Sequence, residues 1–239
     1  MDTTGIIVIL TSMAAAFVQG FSGFGFALIS LPILSLVIDI RIAVPFIALC
    51  GLTNNIYLAI DLKEHIKFFE LKNLIIGAVI GIPIGAFFLS RANPVILKSV
   101  LGSIIILFVL FSFFGIIRQK GLHKNYGYFF GWLSGLLGGA FNTNGPPVLV
   151  YFFLQGWDKT KQKASITGFF IITSIVVVSS HTVAGLINEQ VLVYYLYSFT
   201  GVLTGSYLGT RVFAKVSTKF FDKVVLYGLL FVSFFLIFG

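Results

Sequence analysis

Two glycine- and proline-rich interruptions lie in the middle of long hydrophobic runs of this 239-residue chain. The first is Gly20–Pro32, GFSGFGFALISLP, and the second is Gly135–Pro147, GLLGGAFNTNGPP. An offset of 115 residues aligns the two and places Pro32 on Pro147. Inside a helix, proline costs about 3 kcal/mol and glycine about 1 kcal/mol relative to alanine. Two such breaks at matching positions predict interrupted helices. The alternative is two continuous helices whose glycines serve close packing.

The composition indicates a helical membrane protein. Hydrophobic residues make up 58% of the chain and charged residues 10%, whereas a soluble domain carries about 25% charged residues. Lipid offers no partner for backbone polar groups, so continuous apolar runs predict helices rather than a barrel. The start of the chain lacks basic residues, so we do not expect a cleaved signal peptide. The net charge of +8 fits Lys and Arg on cytoplasmic loops and does not indicate nucleic-acid binding.

Eight apolar runs can be marked along the chain. They are Gly5–Ile38, Ile42–Ile60, Leu71–Leu89, Val95–Ile117, Tyr126–Gly156, Ala164–Ile187, Val191–Phe213 and Phe220–Phe238. We therefore predict an all-α polytopic membrane protein with a single transmembrane domain over residues 1–239. Glycines spaced by four at Gly77–Gly85 match those at Gly201–Gly209 at an offset of 124. This match divides the chain into two repeats of four runs each, residues 5–117 and 126–239.

Runs one and five allow two topologies, because each has about 30 residues or more and some 20 cross the hydrocarbon core. Each could be one long kinked helix, giving eight crossings and parallel repeats. Each could instead be a re-entrant hairpin, giving six crossings and inverted repeats. Eight crossings distribute Lys and Arg six against ten between the two faces, whereas hairpins distribute them three against thirteen. The positive-inside rule favours the hairpins, with both termini outside the cell.

The breaks are the predicted binding site, because broken helices in inverted repeats meet near the membrane midplane. Pro32 and the Pro146–Pro147 pair suit the first turn of a new half-helix. The N-terminus of a half-helix offers free N–H groups and partial positive charge, so two of them can bind an anion without a lysine. The alternative role of the Asn142–Asn144 cluster is to cap the following helix. The predicted substrate-binding residues are Gln19, Gly20, Ser22, Gly23, Pro32, Asn142, Thr143, Asn144, Gly145 and Pro146.

Other polar residues inside the runs are weaker candidates. Asn54, Asn55 and Thr173 either line a cavity or bond neighbouring helices. His181, near the end of run six, is expected at the membrane interface, although an imidazole there could also relay protons. Cys50 is expected to be a small buried apolar residue. No carboxylate lies deep in a run, and no metal, cofactor or catalytic motif occurs in the sequence, so we do not expect an enzyme.

The doubled break, the chain length and the four-plus-four layout of runs resemble the TauE/SafE family of sulfite exporter-like membrane permeases. The resemblance covers essentially the whole chain. It implies export of sulfite or of small organosulfonates across the cytoplasmic membrane, with the glycines and prolines of the two breaks as the family motif. The first copy is the more apolar one, with Phe21, Phe24 and Phe26 and no asparagine, so the two halves are not expected to contact the ligand equally.

The resulting hypothesis is a secondary transporter of a small sulfur oxyanion, with the lipid bilayer as its environment and no cofactor. The anion would sit between the two breaks, and one repeat would rock against the other. One alternative is a passive anion channel. Another is a membrane-embedded sulfur-handling enzyme centred on Cys50 or His181. A homo-oligomer is compatible with the sequence, and the coupling ion stays open.

Overall fold

The computed structural model describes residues 3–62, 66–114, 121–155, 157 and 159–213. Within these residues the regular structure is entirely helical. The helices are α1 (Thr3–Ser22), α2 (Phe26–Leu34), α3 (Ile40–Leu62), α4 (Phe68–Arg91), α5 (Pro94–Phe114), α6 (Tyr126–Phe141), α7 (Gly145–Leu154), α8 (Lys159–Val183) and α9 (Glu189–Phe213). The eighth predicted run, Phe220–Phe238, lies outside the described residues.

Five of the described helices are long and apolar enough to cross a membrane, by length and composition. They are α1, α3, α4, α8 and α9, and α5 contributes a shorter apolar stretch at Pro94–Leu107. The prediction of an all-α, multi-pass membrane protein is confirmed at this level.

The predicted breaks in runs one and five are confirmed. Run one is divided between α1, which ends at Ser22, and α2, which begins at Phe26. Run five is divided between α6, which ends at Phe141, and α7, which begins at Gly145. At 9 and 10 residues, α2 and α7 are each about 15 Å long. That is roughly half the thickness of a hydrocarbon core.

The α6–α7 pair folds back on itself. The N–H of Gly121, which precedes α6, donates to the carbonyl of Leu154 at the end of α7 over 3.1 Å. The Gln155 amide, just beyond α7, donates to the Leu122 carbonyl over 2.9 Å. The chain therefore leaves α7 at the end where it entered α6.

The α1–α2 pair also returns, as the directions of the neighbouring helices indicate. Met13 of α1 contacts Gly205 of α9, and Phe17 contacts Gly209, so these helices run the same way. Near the start of α9, Tyr194 packs edge-on against Phe46 of α3 at 6.2 Å between ring centroids. Further along both helices, Ser206 donates to Asn54. Because α1 and α3 both run parallel to α9, α2 brings the chain back to the end where α1 began.

Glycines allow α4 to pack on α6 and α9 to pack on α1 with their backbones in contact. A Cβ added at Gly81 would collide with the Trp132 carbonyl, and one at Gly205 would collide with the Met13 carbonyl. These matched contacts relate α4 to α9 by the predicted offset of 124. They relate α1 to α6 by 119, because Met13 corresponds to Trp132. The predicted offset of 115 at the breaks is therefore wrong by four residues, about one helical turn.

Candidate functional site

The first break is a short left-handed turn closed by a serine. Gly23 has φ 85° and Gly25 has φ 102°, a backbone conformation that glycine adopts without strain. The Ser22 hydroxyl donates to the Phe24 carbonyl over 2.6 Å and accepts from the Phe24 N–H at 3.4 Å. The first helical bond of α2 runs from the Ile29 N–H to the Gly25 carbonyl. The break therefore satisfies its own backbone and points the start of α2 inward.

The second break uses an asparagine where the first uses a glycine. Asn142 has φ 54°, and at the corrected offset of 119 it corresponds to Gly23. Its N–H donates to the Gly138 carbonyl over 2.8 Å, as the Gly23 N–H donates to the Gln19 carbonyl over 2.7 Å. Among residues with a side chain, asparagine tolerates this conformation best. The same turn therefore carries a polar side chain in the second half only.

Side chains of α6 and of the neighbouring helix α8 hold the second break. The Ser134 hydroxyl of α6 donates to the Asn144 carbonyl over 2.6 Å. The Asn144 amide donates to Thr173 Oγ1 of α8 over 2.9 Å. Ser134, Asn144 and Thr173 are all buried. The position of Asn144 is thus fixed from both sides.

A chain of buried amides joins the breaks to the central helices. Gln19 Nε2 donates to Asn55 Oδ1 over 2.8 Å, and Asn54 Nδ2 donates to Gln19 Oε1 over 2.7 Å. Ser206 of α9 donates to Asn54, and Asn55 Nδ2 donates to Ser174 of α8 at 3.4 Å. The chain links α1, α3, α8 and α9 at one level. Buried amides bonded in this way rigidify the walls of a site.

A small cavity of about 30 Å³ lies where the two breaks meet. That volume holds about two water molecules. Its lining comes from the start of α2, the second break and the facing surfaces of α1, α3 and α8. The lining residues are Gln19, Gly25, Phe26, Ala27, Leu28, Gly51, Asn55, Asn142, Thr143, Asn144, Gly145, Phe170 and Ser174. None of the described residues that line the cavity has a charged side chain.

The Thr143 side chain gives the cavity an uncommitted hydroxyl. Thr143 is 2% exposed, and within the described part of the chain its Oγ1 has no hydrogen-bond partner. A buried hydroxyl without a partner costs about 1–3 kcal/mol. Such a group lining a polar cavity is expected to bond whatever occupies the cavity.

The structure brings together six of the residues predicted from sequence. Gln19, Asn55, Asn142, Thr143, Asn144 and Gly145 all line the cavity. Two others support its wall from behind, since Asn54 bonds Gln19 and Thr173 bonds Asn144.

The remaining predicted site residues lie outside the lining. Gly20 packs against α9, where an added Cβ would lie 2.7 Å from the Ser206 carbonyl oxygen. Ser22 and Gly23 form the first turn, and Pro146 is the second residue of α7. Pro32 is the seventh of the nine residues of α2, so the prediction that it begins a half-helix is wrong. Phe26 begins that helix instead.

Several residues that line or support the cavity were missed by reasoning from sequence. Ser134 and Ser206 sit between glycines in small-residue stretches, where a serine suggests only packing. Gly51 faces the Asn142 amide, from which an added Cβ would be 3.2 Å away. Phe170 and Ser174 line the cavity from α8, and Ser174 is the counterpart of Asn55 at the offset of 119.

Cys50 and His181, which were also considered from the sequence, lie outside the cavity lining. Cys50 is fully buried in the apolar cluster around α3, as predicted. No group of metal-binding side chains is found among the described residues. His181, expected near the membrane interface, has a side chain that is 0% exposed and bonded to the Gly139 carbonyl of α6, and its depth in the membrane stays a prediction.

Comparison with known proteins gives one match. A family model described as "Sulfite exporter TauE/SafE" matches residues 8–236, nearly the whole chain. Searches of curated proteins and of solved structures found no match.

Because Asn142 lies in a left-handed turn, we expect its alanine and glycine variants to differ in stability in the opposite order to that found within a helix. Asn142→Ala should unfold more easily than Asn142→Gly by about 1 kcal/mol, because alanine is strained at positive φ. Thermal unfolding of the purified protein in detergent measures the difference. At Ser103, an exposed position within α5, the order of the same two substitutions should reverse, since alanine is the better helix former. Equal stability of the two Asn142 variants would contradict the assigned turn.

Proposed function

Because the chain belongs to the TauE/SafE sulfite exporter family, we propose that it is a secondary transporter of a small sulfur oxyanion. Sulfite is the first candidate and a small organosulfonate the second, with export across the cytoplasmic membrane. The observation that carries the proposal is the unpartnered Thr143 hydroxyl in a neutral, donor-rich cavity between two helix breaks. The substrate would bind in that cavity.

The start of α2 suits an anion. Phe26, Ala27 and Leu28 line the cavity and occupy the first turn, where N–H groups have no acceptor within the helix. The positive end of the helix dipole faces the same space. Oriented backbone N–H groups at a helix start are a common way to bind oxyanions.

The start of α7 contributes less backbone and more side chain. Its second and third residues, Pro146 and Pro147, have no N–H to donate. The amide and hydroxyl groups of Asn142, Thr143 and Asn144 take their place around the cavity. We infer that the first half supplies backbone donors and the second half supplies side-chain donors.

The size and charge of the cavity favour a small inorganic anion. A volume of about 30 Å³ admits sulfite only after modest widening and suits an organosulfonate less well. The absence of charged side chains from the lining leaves the anion free to dissociate, since a paired lysine or arginine would hold it strongly. Weak, oriented dipoles suit a transporter that must release its substrate.

We further propose that the two halves are inverted repeats and that α1–α2 and α6–α7 are re-entrant hairpins. The returning directions of both hairpins, the matched glycine contacts and the three-to-thirteen distribution of Lys and Arg support this arrangement. Alternating access would follow from rocking of one half against the other around the cavity.

Sulfite flux into proteoliposomes containing the purified protein tests the transport proposal. Flux should saturate with sulfite concentration. Thr143→Val should raise the apparent KM about tenfold or more, because it removes a hydrogen bond to a charged ligand worth about 1.5–3 kcal/mol. Thr143→Ser retains the hydroxyl and should stay close to the wild type. Sulfate and taurine serve as competing solutes.

Three outcomes would count against the proposal. Flux that rises linearly with sulfite indicates a passive channel instead of a transporter. Equal KM values for the wild type and Thr143→Val would remove Thr143 from the site. A lower melting temperature of Thr143→Val without substrate would mean that the hydroxyl has a structural role, which its lack of a protein partner argues against.

Cysteine labelling tests the hairpin topology. In a Cys50→Ser background, cysteines placed at Lys124, before α6, and at Lys159, at the start of α8, should react with an impermeant maleimide from the same face. The hairpin returns the chain to that face between them. Labelling from opposite faces would restore the eight-crossing arrangement and parallel repeats.

A further inference from the structure

His181 places a basic nitrogen without a partner in the interior of the helix bundle. The side chain is 0% exposed, and its Nε2 lies 2.7 Å from the Gly139 carbonyl oxygen. A carbonyl only accepts, so Nε2 carries a hydrogen, and in the neutral imidazole Nδ1 is then a bare acceptor. Across the described residues, Nδ1 has no hydrogen-bond partner. The neutral imidazole therefore has one lone pair open to a proton.

The position of His181 connects it to the cavity. Phe170 and Ser174 line the cavity from α8, and His181 follows Ser174 by seven residues on the same face of that helix. Seven residues of helix rise about 10 Å. Its partner Gly139 lies on α6 three residues before Asn142, which also lines the cavity. The imidazole thus bonds the helix that carries the second break.

The surroundings contain few other charges. Gly139 packs on Ile82 and Ala86 of α4, which are apolar. Ala86 also lines a cleft of about 860 Å³ between α4 and α8, together with Ser179 and Ser180. Of the described residues lining that cleft, Arg91 is the charged one. The described parts of α6 and α8 bring no carboxylate to this region. Ser179 and Ser180, which line the cleft, directly precede His181 in α8.

We propose that His181 is a proton-binding site that couples proton movement to anion transport, an inference that rests on the proposed function. A proton from the cleft would bind Nδ1 and convert the imidazole into imidazolium. The new positive charge, about 10 Å from the cavity in a medium of low dielectric constant, attracts an anion bound there. By linkage, a bound anion favours protonation to the same extent. Proton and anion therefore occupy the same state and cross together, so that an anion exported down its own gradient carries a proton out with it.

The coupling would reside in one half of the chain. At the offset of 119 the counterpart of His181 is Leu62, which cannot take up a proton. The two halves would thus share the anion site and differ in proton binding.

The experiment compares two sulfite fluxes in proteoliposomes, one driven by a pH gradient and one by exchange at equal pH. The variants are His181→Gln and His181→Asn, whose amides can still donate to the Gly139 carbonyl. The matched control is His123→Gln, since His123 is exposed and lies before α6.

We expect the wild type and His123→Gln to accumulate sulfite in response to the gradient. Each His181 variant that folds with a wild-type melting temperature should lose that accumulation while keeping exchange within about twofold of the wild type. The substrate's own titration is the same for every variant and cancels in the comparison.

Three other outcomes would overturn the inference. Saturable wild-type flux without a response to the pH gradient overturns the inference without any variant. A gradient response retained by a His181 variant with a wild-type melting temperature overturns it as well. Absence of saturable sulfite flux in the wild type overturns the proposed function, and the inference with it.

Discussion

The structure depends on the rule that backbone polar groups inside a membrane must find partners within the protein. Both helix breaks place irregular backbone in the middle of the bundle. Nearby serine side chains form hydrogen bonds with this backbone. The Ser22 hydroxyl bonds the Phe24 carbonyl, and the Ser134 hydroxyl bonds the Asn144 carbonyl. The first-turn N–H groups of α2 have no acceptor within the helix, and the residues that carry them, Phe26, Ala27 and Leu28, line a cavity. N–H groups without an acceptor in the protein are available to bind a ligand.

Close helix packing makes this arrangement possible. The stripes of glycine on α4 and α9 let these helices touch the backbones of α6 and α1, directly behind the two breaks. A buried amide chain from Gln19 through Asn54 then ties the first break to α3 and α9. The breaks are thus held from behind by packing and from the side by hydrogen bonds. Small residues and amides, rather than charged pairs, give the site its rigidity.

The sequence predicted the broken helices and six of the thirteen residues that line the cavity, because glycine, proline and buried asparagine have few other uses inside an apolar run. It placed Pro146 and Pro147 correctly in the first turn of α7, but it did not predict where α2 begins. Aligning the breaks on their prolines put Pro32 at a helix start, whereas the register follows the left-handed positions Gly23 and Asn142. The amino-acid sequence does not reveal that two positions share a left-handed backbone conformation when one copy has glycine there and the other has asparagine. The Gly139–His181 bond and the Ser206–Asn54 bond join distant helices, so no local pattern indicated them.

The two halves present different chemistry to one space, backbone donors from α2 and side chains from Asn142 to Asn144, and we propose that an anion bridges them. Soaking a crystal of the protein with selenite, a sulfite analogue with an anomalous signal, would locate that anion. We expect an anomalous peak within hydrogen-bonding distance of Thr143 Oγ1 and beside the first turn of α2. A selenium peak elsewhere in the protein, with this cavity empty, would rule out the bridging anion.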